Sequence, residues 1–203
     1  MNRRLLFLPG VAGDPAFWQP LGRLLPAAWH KTYLGWPGLG HQAPSPAVHS
    51  FDDLTAMVVE QLGDEPVDLL AQSMGGAIAL RVALDYPKHV RRLVLAVTAG
   101  GIDLDGFGAD DWRPAYRQEY PRAAAWLYDA RPDYSTELAR VIQPTLLLWG
   151  DADPISPVAV GTYLAERLPN ATLVVVAGGD HGLVRNRAQD IAPAIQLHLA
   201  RRP

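Results

Sequence analysis

The stretch LLAQSMGGAIAL, residues 69–80, joins an apolar run to a run of small and apolar residues, and Ser73 stands at the junction. Its apolar start belongs to a run that predicts a β-strand over residues 67–71. The residues after the serine predict a helix over residues 74–85, because they are mostly apolar or small and Tyr-Pro follows them. The stretch therefore predicts a buried strand that turns sharply into a helix, with a serine on the turn.

Ser73 has two interpretations at this point. A side chain on so sharp a turn projects outward, and the residues two positions before and after it, Ala71 and Gly75, have to be small. The N–H groups at the start of the following helix favour negative charge that develops there. These features predict a nucleophile. The alternative is a serine that merely caps the helix.

Strand-like and helix-like patterns alternate along the 203 residues, a length that suits one domain. Strands are predicted at residues 5–8, 31–34, 67–71, 92–97, 145–149 and 173–176. Helices are predicted at residues 15–25, 74–85, 158–168 and 188–200, and after Ser50 as an N-cap. The strands are mostly apolar throughout, which is typical of a parallel sheet covered on both faces. We predict a single domain over residues 1–203 with a doubly wound α/β fold and about six mostly parallel strands.

The composition excludes several function classes. The net charge of −3 lacks the basic footprint of a nucleic-acid-binding domain, and no apolar run reaches the roughly 18 residues of a membrane span. The chain contains no cysteine, which excludes disulfides and thiolate chemistry, and no histidine pair has metal-ligand spacing. We expect no metal, no cofactor, and no nucleic-acid or membrane partner. The sequence leaves the oligomeric state open.

The N-terminus places Arg3 and Arg4 before an apolar run and so faintly resembles a secretory signal peptide. The run covers only residues 5–8 and stops at Pro9, whereas a secretory core needs about 7–15 apolar residues. We interpret it as the first strand of the fold, and we expect a cytoplasmic location.

One long stretch, residues 98–141, contains no convincing strand. It is rich in aromatic residues, and Trp112, Tyr116 and Tyr120 are spaced to share one helical face. Long insertions in compact domains are usually lids or binding loops, so we predict a short helical cap. These three aromatics, together with Gln72 beside the serine, are candidate substrate-binding residues. Packing of the cap onto the sheet is an equally good explanation for each aromatic.

A nucleophilic serine needs a base, and His181 is the candidate. It follows the predicted strand 173–176, and the carboxyl ends of strands are where open α/β sheets gather catalytic groups. An orienting acid is available after the strand 145–149, as Asp151 or Asp153. Asp153 precedes a proline, which favours an extended backbone with longer reach. Asp151 is the alternative acid or a brace for the loop, and both aspartates also suit simple turns.

An acyl-transfer site also needs two N–H donors for an oxyanion. The first candidate is Met74, directly after the serine. The second is Val11, in the loop after the first strand, where Gly10 and Gly13 allow the backbone to approach closely.

Together these motifs make the chain resemble the α/β-hydrolase superfamily over almost its whole length. The resemblance is carried by LPG at 8–10, GWPGLG at 35–40, QSMGG at 72–76, WGDADPISP at 149–157 and DHG at 180–182. The order serine, acid, histidine is that of the superfamily. Its Gly-x-x-Asp-x-x-x-Pro acid loop selects Asp153. The departures are Pro9 in place of a histidine, Ala71 in place of the first elbow glycine, and a start at the strand before the oxyanion loop.

The resemblance implies a compact serine carboxylesterase that cleaves a small hydrophobic ester or thioester through an acyl-enzyme. Ser73, His181 and Asp153 would form its catalytic triad, and the N–H groups of Val11 and Met74 its oxyanion hole. Three alternatives stay open: a lyase of the same fold, a small-ligand-binding signalling protein with slow turnover, and an inert structural domain. A haloalkane dehalogenase is disfavoured, because its nucleophile is a carboxylate.

Overall fold

The computed structural model describes residues 3–201 and contains one parallel sheet of six strands. The strands are β1 (Arg4–Leu8), β2 (His30–Tyr33), β3 (Val67–Gln72), β4 (Val90–Ala96), β5 (Thr145–Gly150) and β6 (Ala171–Val176). Their order across the sheet is β2-β1-β3-β4-β5-β6, and every neighbouring pair is parallel. The predicted doubly wound sheet of about six parallel strands is confirmed, and each predicted strand lies within two residues of the observed one.

Helices connect these strands. In the described part of the chain they are α1 (Gln19–Leu24), α2 (Phe51–Val59), α3 (Met74–Asp85), α4 (Arg113–Glu119), α5 (Val158–Arg167), α6 (Leu183–Asn186) and α7 (Ala188–Ala200). The predicted helix over residues 15–25 is instead a 3-10 helix, Pro15–Trp18, followed by α1. Ser50 caps α2 as predicted, since its hydroxyl accepts the Asp53 N–H at 3.2 Å. No helix of residues 3–201 is long and apolar enough to cross a membrane.

The strand order reverses direction between β1 and β3. From β1 the chain first adds β2 on one side and then crosses to β3 on the other, after which the remaining strands follow in sequence order. In open α/β sheets a crevice forms at such a switch point, outside the carboxyl ends of the strands. The loops after β1 and β3 therefore meet at the place where a ligand would bind.

The core lies on both faces of the central strands. β1, β3 and β5 are buried along almost their whole length, whereas the edge strand β6 is only partly buried. The largest fully buried side chains include Trp18, Trp36 and Trp149. A sheet covered on both faces explains why the central strands lack the alternating pattern of half-exposed strands.

Asp68 is a charged residue inside the apolar run of β3, and it is fully buried. Its carboxylate accepts hydrogen bonds from Arg3 at 3.2 Å and from Arg91 at 2.6 Å. These hydrogen bonds stabilise the fold, because a buried carboxylate left without partners is strongly destabilising. The sequence pattern gave no indication of this cluster, since its members lie far apart in the chain.

The segment between β4 and β5, residues 97–144, contains no strand, as predicted. It consists of α4, the 3-10 helices Ala125–Tyr128 and Leu138–Arg140, and irregular loops. The rings of Trp112 and Tyr116 are 5.5 Å apart and those of Tyr116 and Tyr120 are 4.8 Å apart, so the three aromatics do share one face.

We predict that His198 makes the fold sensitive to acid. Burial, followed by the nearby Arg92 guanidinium, lowers the pKa of His198 to about 4 from its ordinary 6.5. Between these two pH values the unfolded chain binds a proton that the folded chain does not. The stabilisation from a neutral His198 is therefore complete above about pH 6.5 and is lost as the pH falls towards about 4. In urea unfolding followed from pH 7 to pH 4, His198→Gln should lose less of its unfolding free energy than the wild type.

The matched control is His30→Gln, because His30 is exposed on the edge strand β2. This variant should keep the pH dependence of the wild type. An unchanged slope in His198→Gln would contradict the assignment.

Candidate active site

Ser73 lies on the turn between β3 and α3 with a backbone φ of +52° and ψ of −124°. This left-handed φ is strained for a residue other than glycine. The turn also needs Gly75, because a Cβ there would lie 2.5 Å from the carbonyl oxygen of Pro9. The Ser73 hydroxyl makes no capping hydrogen bond to the helix, so the alternative of a simple helix cap is wrong.

The Ser73 hydroxyl instead meets His181, which lies on the loop after β6. Ser73 Oγ is 3.0 Å from His181 Nε2. The other ring nitrogen of His181, Nδ1, is 2.8 Å from Asp153 Oδ2. The Asp153 side chain is fully buried, and its Oδ1 accepts the backbone N–H groups of Ile155 at 2.8 Å and Ser156 at 3.2 Å. A serine, an imidazole and a buried carboxylate thus form one hydrogen-bonded series, in which the carboxylate fixes the orientation of the imidazole.

The two aspartates that the sequence left as alternatives have separate positions. Asp153 contacts His181, whereas Asp151 is exposed and its Oδ1 accepts the Gly178 N–H at 2.6 Å. Asp151 therefore braces the loop between β6 and His181 rather than touching the imidazole.

Val11 and Met74, the candidate oxyanion donors, both line the same cavity as Ser73 and His181. Met74 is the first residue of α3, so its N–H has no partner within the helix. Within residues 3–201, the Val11 N–H donates no hydrogen bond. Both N–H groups are thus available to an oxygen atom in the cavity.

Tyr116 anchors α4 to the loop that carries Val11. Its hydroxyl donates to the Val11 carbonyl at 2.8 Å and accepts the Gly40 N–H at 2.8 Å. Burial raises the pKa of Tyr116 from its ordinary 10 to about 12, so the hydroxyl remains a donor even in moderately alkaline solution. The residue therefore positions the loop and does not face a substrate.

Of the four candidate substrate-binding residues, only Trp112 lines the cavity. The Tyr116 hydroxyl bonds the backbone of Val11 and Gly40, and Tyr120 packs its ring against His41 and Tyr116. Gln72 is buried, and its amide donates to the backbone carbonyl of His181 at 3.2 Å. The interpretation of Gln72, Tyr116 and Tyr120 as pocket residues is corrected, because none of them lines the cavity. The polar ends of Gln72 and Tyr116 bond groups of the surrounding loops, and the ring of Tyr120 packs against other rings.

The cavity has a volume of about 740 Å³ and lies between the carboxyl edge of the sheet and the 97–144 segment. Much of its apolar lining comes from residues that follow strand ends and from the segment itself, and Phe51 of α2 adds to it. The first two groups include Val11, Met74, Ala77, Val97, Ala99, Ile102, Leu104, Leu127 and Ile155. Val97 and Ile155 follow β4 and β5, so their position after a strand was a usable signal. Leu127 and Ile102 carried no signal, because loop conformation alone brings them to the cavity.

Charged side chains also line this cavity, and acids outnumber bases. They are the aspartates 103, 105, 110, 111 and 133 and the arginines 113 and 131. One of these arginines, Arg113, is paired with Asp111 at 2.9 Å. Among the described residues, no group of three or more side chains could hold a metal ion.

Comparison with known proteins agrees with this architecture. A family model described as "alpha/beta hydrolase fold" matches residues 3–125, and one described as "TAP-like protein" matches residues 112–201. The chain is 29% identical to a poly(3-hydroxyalkanoate) depolymerase of Ectopseudomonas oleovorans, over 80% of this chain and 72% of that protein. It is 26% identical to a pimeloyl-[acyl-carrier protein] methyl ester esterase of Neisseria meningitidis, over 94% of this chain and 90% of that one.

Solved structures resemble the chain in fold. A hydrolase from Pseudomonas aeruginosa aligns with a TM-score of 0.78 and 20% identity, over 98% of this chain and 91% of that one. A bromoperoxidase from Bacillus anthracis aligns with a TM-score of 0.80 and 20% identity, over 99% and 93% of the two chains.

We predict that Asp153→Asn lowers the turnover of a short p-nitrophenyl ester far more than Asp151→Asn. An amide at position 153 no longer offers His181 a carboxylate and favours the wrong tautomer of the ring, which costs several orders of magnitude in related arrangements. Asp151→Asn loses only a charge on the bracing residue. Steady-state kinetics of the two matched variants measures the difference. A larger loss in Asp151→Asn would overturn the assignment of the acid.

Proposed function

The chain belongs to the α/β-hydrolase fold family, and from this premise we propose that it is a serine hydrolase with Ser73 as its nucleophile. Relatives named as an esterase and a depolymerase make it a hydrolase that acts on ester bonds. The observation that carries the proposal is the geometry at Ser73: its Oγ is 3.0 Å from His181 Nε2, and Asp153 is 2.8 Å from the other ring nitrogen.

The reaction would proceed in two steps. Ser73 Oγ attacks the ester carbonyl while His181 Nε2 takes the hydroxyl proton, and the imidazolium then returns that proton to the departing alcohol. Water next attacks the acyl-enzyme with His181 as the base, which releases the acid and restores the serine. Asp153 holds the ring orientation throughout and stabilises the imidazolium.

The backbone N–H groups of Val11 and Met74 would stabilise the oxyanion of each tetrahedral intermediate. Loss of one such donor typically costs about 2.7–4 kcal/mol of transition-state stabilisation. The proposal draws support from the availability of both N–H groups and from their place on the cavity that contains Ser73.

Residues 98–141 would serve as the cap, within a single domain over the whole chain. The apolar lining around Ser73 suits a small hydrophobic acyl group, with an ester or a thioester as the scissile bond. The acidic surplus among the charged lining residues favours a neutral acyl chain over an anionic one, because like charges repel in a cavity with low-dielectric walls. A small-molecule ester as substrate and a cytoplasmic location remain part of this proposal.

The first test is covalent labelling of the nucleophile. We predict that a fluorophosphonate forms one adduct per chain, located at Ser73 by peptide mass spectrometry, and that Ser73→Ala abolishes it. The control is Ser50→Ala, which removes a helix-capping serine that does not itself line the cavity. No adduct, or an adduct elsewhere, would refute the nucleophile. A lyase or a ligand-binding protein of this fold would fail to show an acyl-enzyme burst on p-nitrophenyl acetate.

The second test concerns charge. We predict that p-nitrophenyl methyl adipate, which is neutral, is cleaved with about tenfold higher kcat/KM than p-nitrophenyl hydrogen adipate, which carries a carboxylate of the same chain length. The difference in kcat/KM between the two esters should become smaller in about 1 M salt, where the screening length falls to about 3 Å. Asp103→Asn combined with Asp105→Asn should narrow it as well. Equal rates at low salt would refute the electrostatic preference and leave the nucleophile untouched.

A further inference from the structure

Thr98 is a fully buried residue just beyond the end of β4, and it contacts the turn that carries Ser73. Its hydroxyl donates to the carbonyl oxygen of Ser73 at 2.5 Å and accepts the N–H of Gly100 at 2.9 Å. Gly76 leaves room for this contact, because a Cβ at that position would overlap the Thr98 side chain. The hydroxyl is thus bonded to the backbone of the proposed nucleophile itself.

Ser156 connects the same threonine to the acid. Its hydroxyl donates to the Thr98 carbonyl at 3.2 Å, and its backbone N–H donates to Asp153 Oδ1 at 3.2 Å. Ser156 is itself buried, and its carbonyl accepts the indole N–H of Trp149 at 2.9 Å. The position of the acid loop is therefore tied to the end of β4 as well as to β5.

These bonds close a ring. Starting at Ser73, the hydrogen bonds run through Thr98, Ser156, Asp153 and His181 and return to the Ser73 hydroxyl. Three members are the proposed catalytic residues, and the other two have no chemical part in the reaction. The ring fixes both ends of the serine: Thr98 holds its carbonyl, and His181 holds its hydroxyl.

The backbone on both sides of the Ser73–Thr98 contact is strained. In residues 3–201, Ser73 and Val97 are the non-glycine residues with positive φ, at +52° and +41°. Such conformations persist when surrounding bonds over-determine them. The Val97 N–H donates to the Leu148 carbonyl at 3.0 Å, which holds this residue in place. The hydroxyl of the next residue, Thr98, then connects Val97 to the strained backbone of Ser73.

We propose that Thr98 and Ser156 are positioning residues, which hold Ser73 and Asp153 at the separation that lets His181 bond both. The inference rests on the proposed function, since it concerns the geometry of the same reaction. Thr98 does not line the cavity, so its loss leaves substrate contacts in place and displaces only the nucleophile. A displacement of about 1 Å at a reacting atom lowers rates on the order of a hundredfold.

The test compares Thr98→Val, which keeps the shape and removes the hydroxyl, with Thr98→Ser, which keeps the hydroxyl. Turnover of p-nitrophenyl butyrate is measured per active site, counted by fluorophosphonate incorporation. Thr98→Val should lower kcat by about tenfold or more, with KM within about twofold, whereas Thr98→Ser should restore most of kcat. The separation of kcat from KM is the readout that a merely structural role would not produce.

Thr145→Val is the matched control. Thr145 is also a buried threonine whose hydroxyl donates to a backbone carbonyl, that of Gln143 at 2.9 Å, but it stands at the opposite end of the sheet from Ser73. This variant should lose thermal stability to a similar degree and keep its kcat per active site. Wild-type kcat in Thr98→Val, or an equal loss in Thr145→Val, would overturn the positioning role.

A double-mutant cycle tests the ring. Thr98→Val and Ser156→Ala open the same ring at different bonds, so the combined variant should lose less kcat than the product of the two single losses. Independent, multiplicative losses would overturn the ring. Failure of the proposed function would be recognised by a different result, because the wild type would then form no fluorophosphonate adduct at Ser73. Failure of the positioning role alone leaves that adduct intact.

Discussion

The left-handed backbone of Ser73 is the constraint on which the rest of the site depends. A residue with a side chain in this conformation costs about 1–3 kcal/mol and needs surrounding structure to hold it. Here the Ser73 N–H continues the β3–β4 ladder by donating to Ala96 O at 3.0 Å, and α3 begins at the very next residue. Small residues follow because α3 then passes close to the β1 loop, where a Cβ at Gly75 would meet the Pro9 carbonyl. The small residues after the serine are therefore explained by the strained turn and by the close approach of α3 to the β1 loop.

The loops at this edge of the sheet are irregular, and buried indoles satisfy their backbone carbonyls. A buried carbonyl without a partner costs about 1–3 kcal/mol, so each loop needs a donor that the sheet cannot supply. The indole N–H of Trp18 donates to the carbonyl of Leu8, at the end of β1, at 3.0 Å. The indole N–H of Trp36 donates to the Pro9 carbonyl at 2.8 Å, and that of Trp149 to the Ser156 carbonyl at 2.9 Å. These three tryptophans fill the core and at the same time hold the loops that carry Val11 and Asp153. The same three side chains therefore pack the core and position the loops.

The sequence predicted best where one local pattern decides the structure. Helix α3 has the predicted bounds, because apolar periodicity and the Tyr-Pro stop are local signals. Prediction was weaker where distant partners decide. The buried Asp68 depends on Arg3 and Arg91, and the role of Tyr116 depends on Val11, about a hundred residues away. The aromatic spacing around α4 correctly predicted one shared face, but it could not show that only Trp112 of the three lines the cavity.

The proposed catalytic residues and most of the cavity wall belong to different parts of this chain. The ends of β3, β5 and β6 set the positions of Ser73, Asp153 and His181, and all three strands belong to one hydrogen-bonded sheet. Much of the cavity wall, including most of its charged residues, comes from the 97–144 segment, which contains no strand. Substitutions in that segment can therefore change the cavity wall without disturbing the turn that carries Ser73.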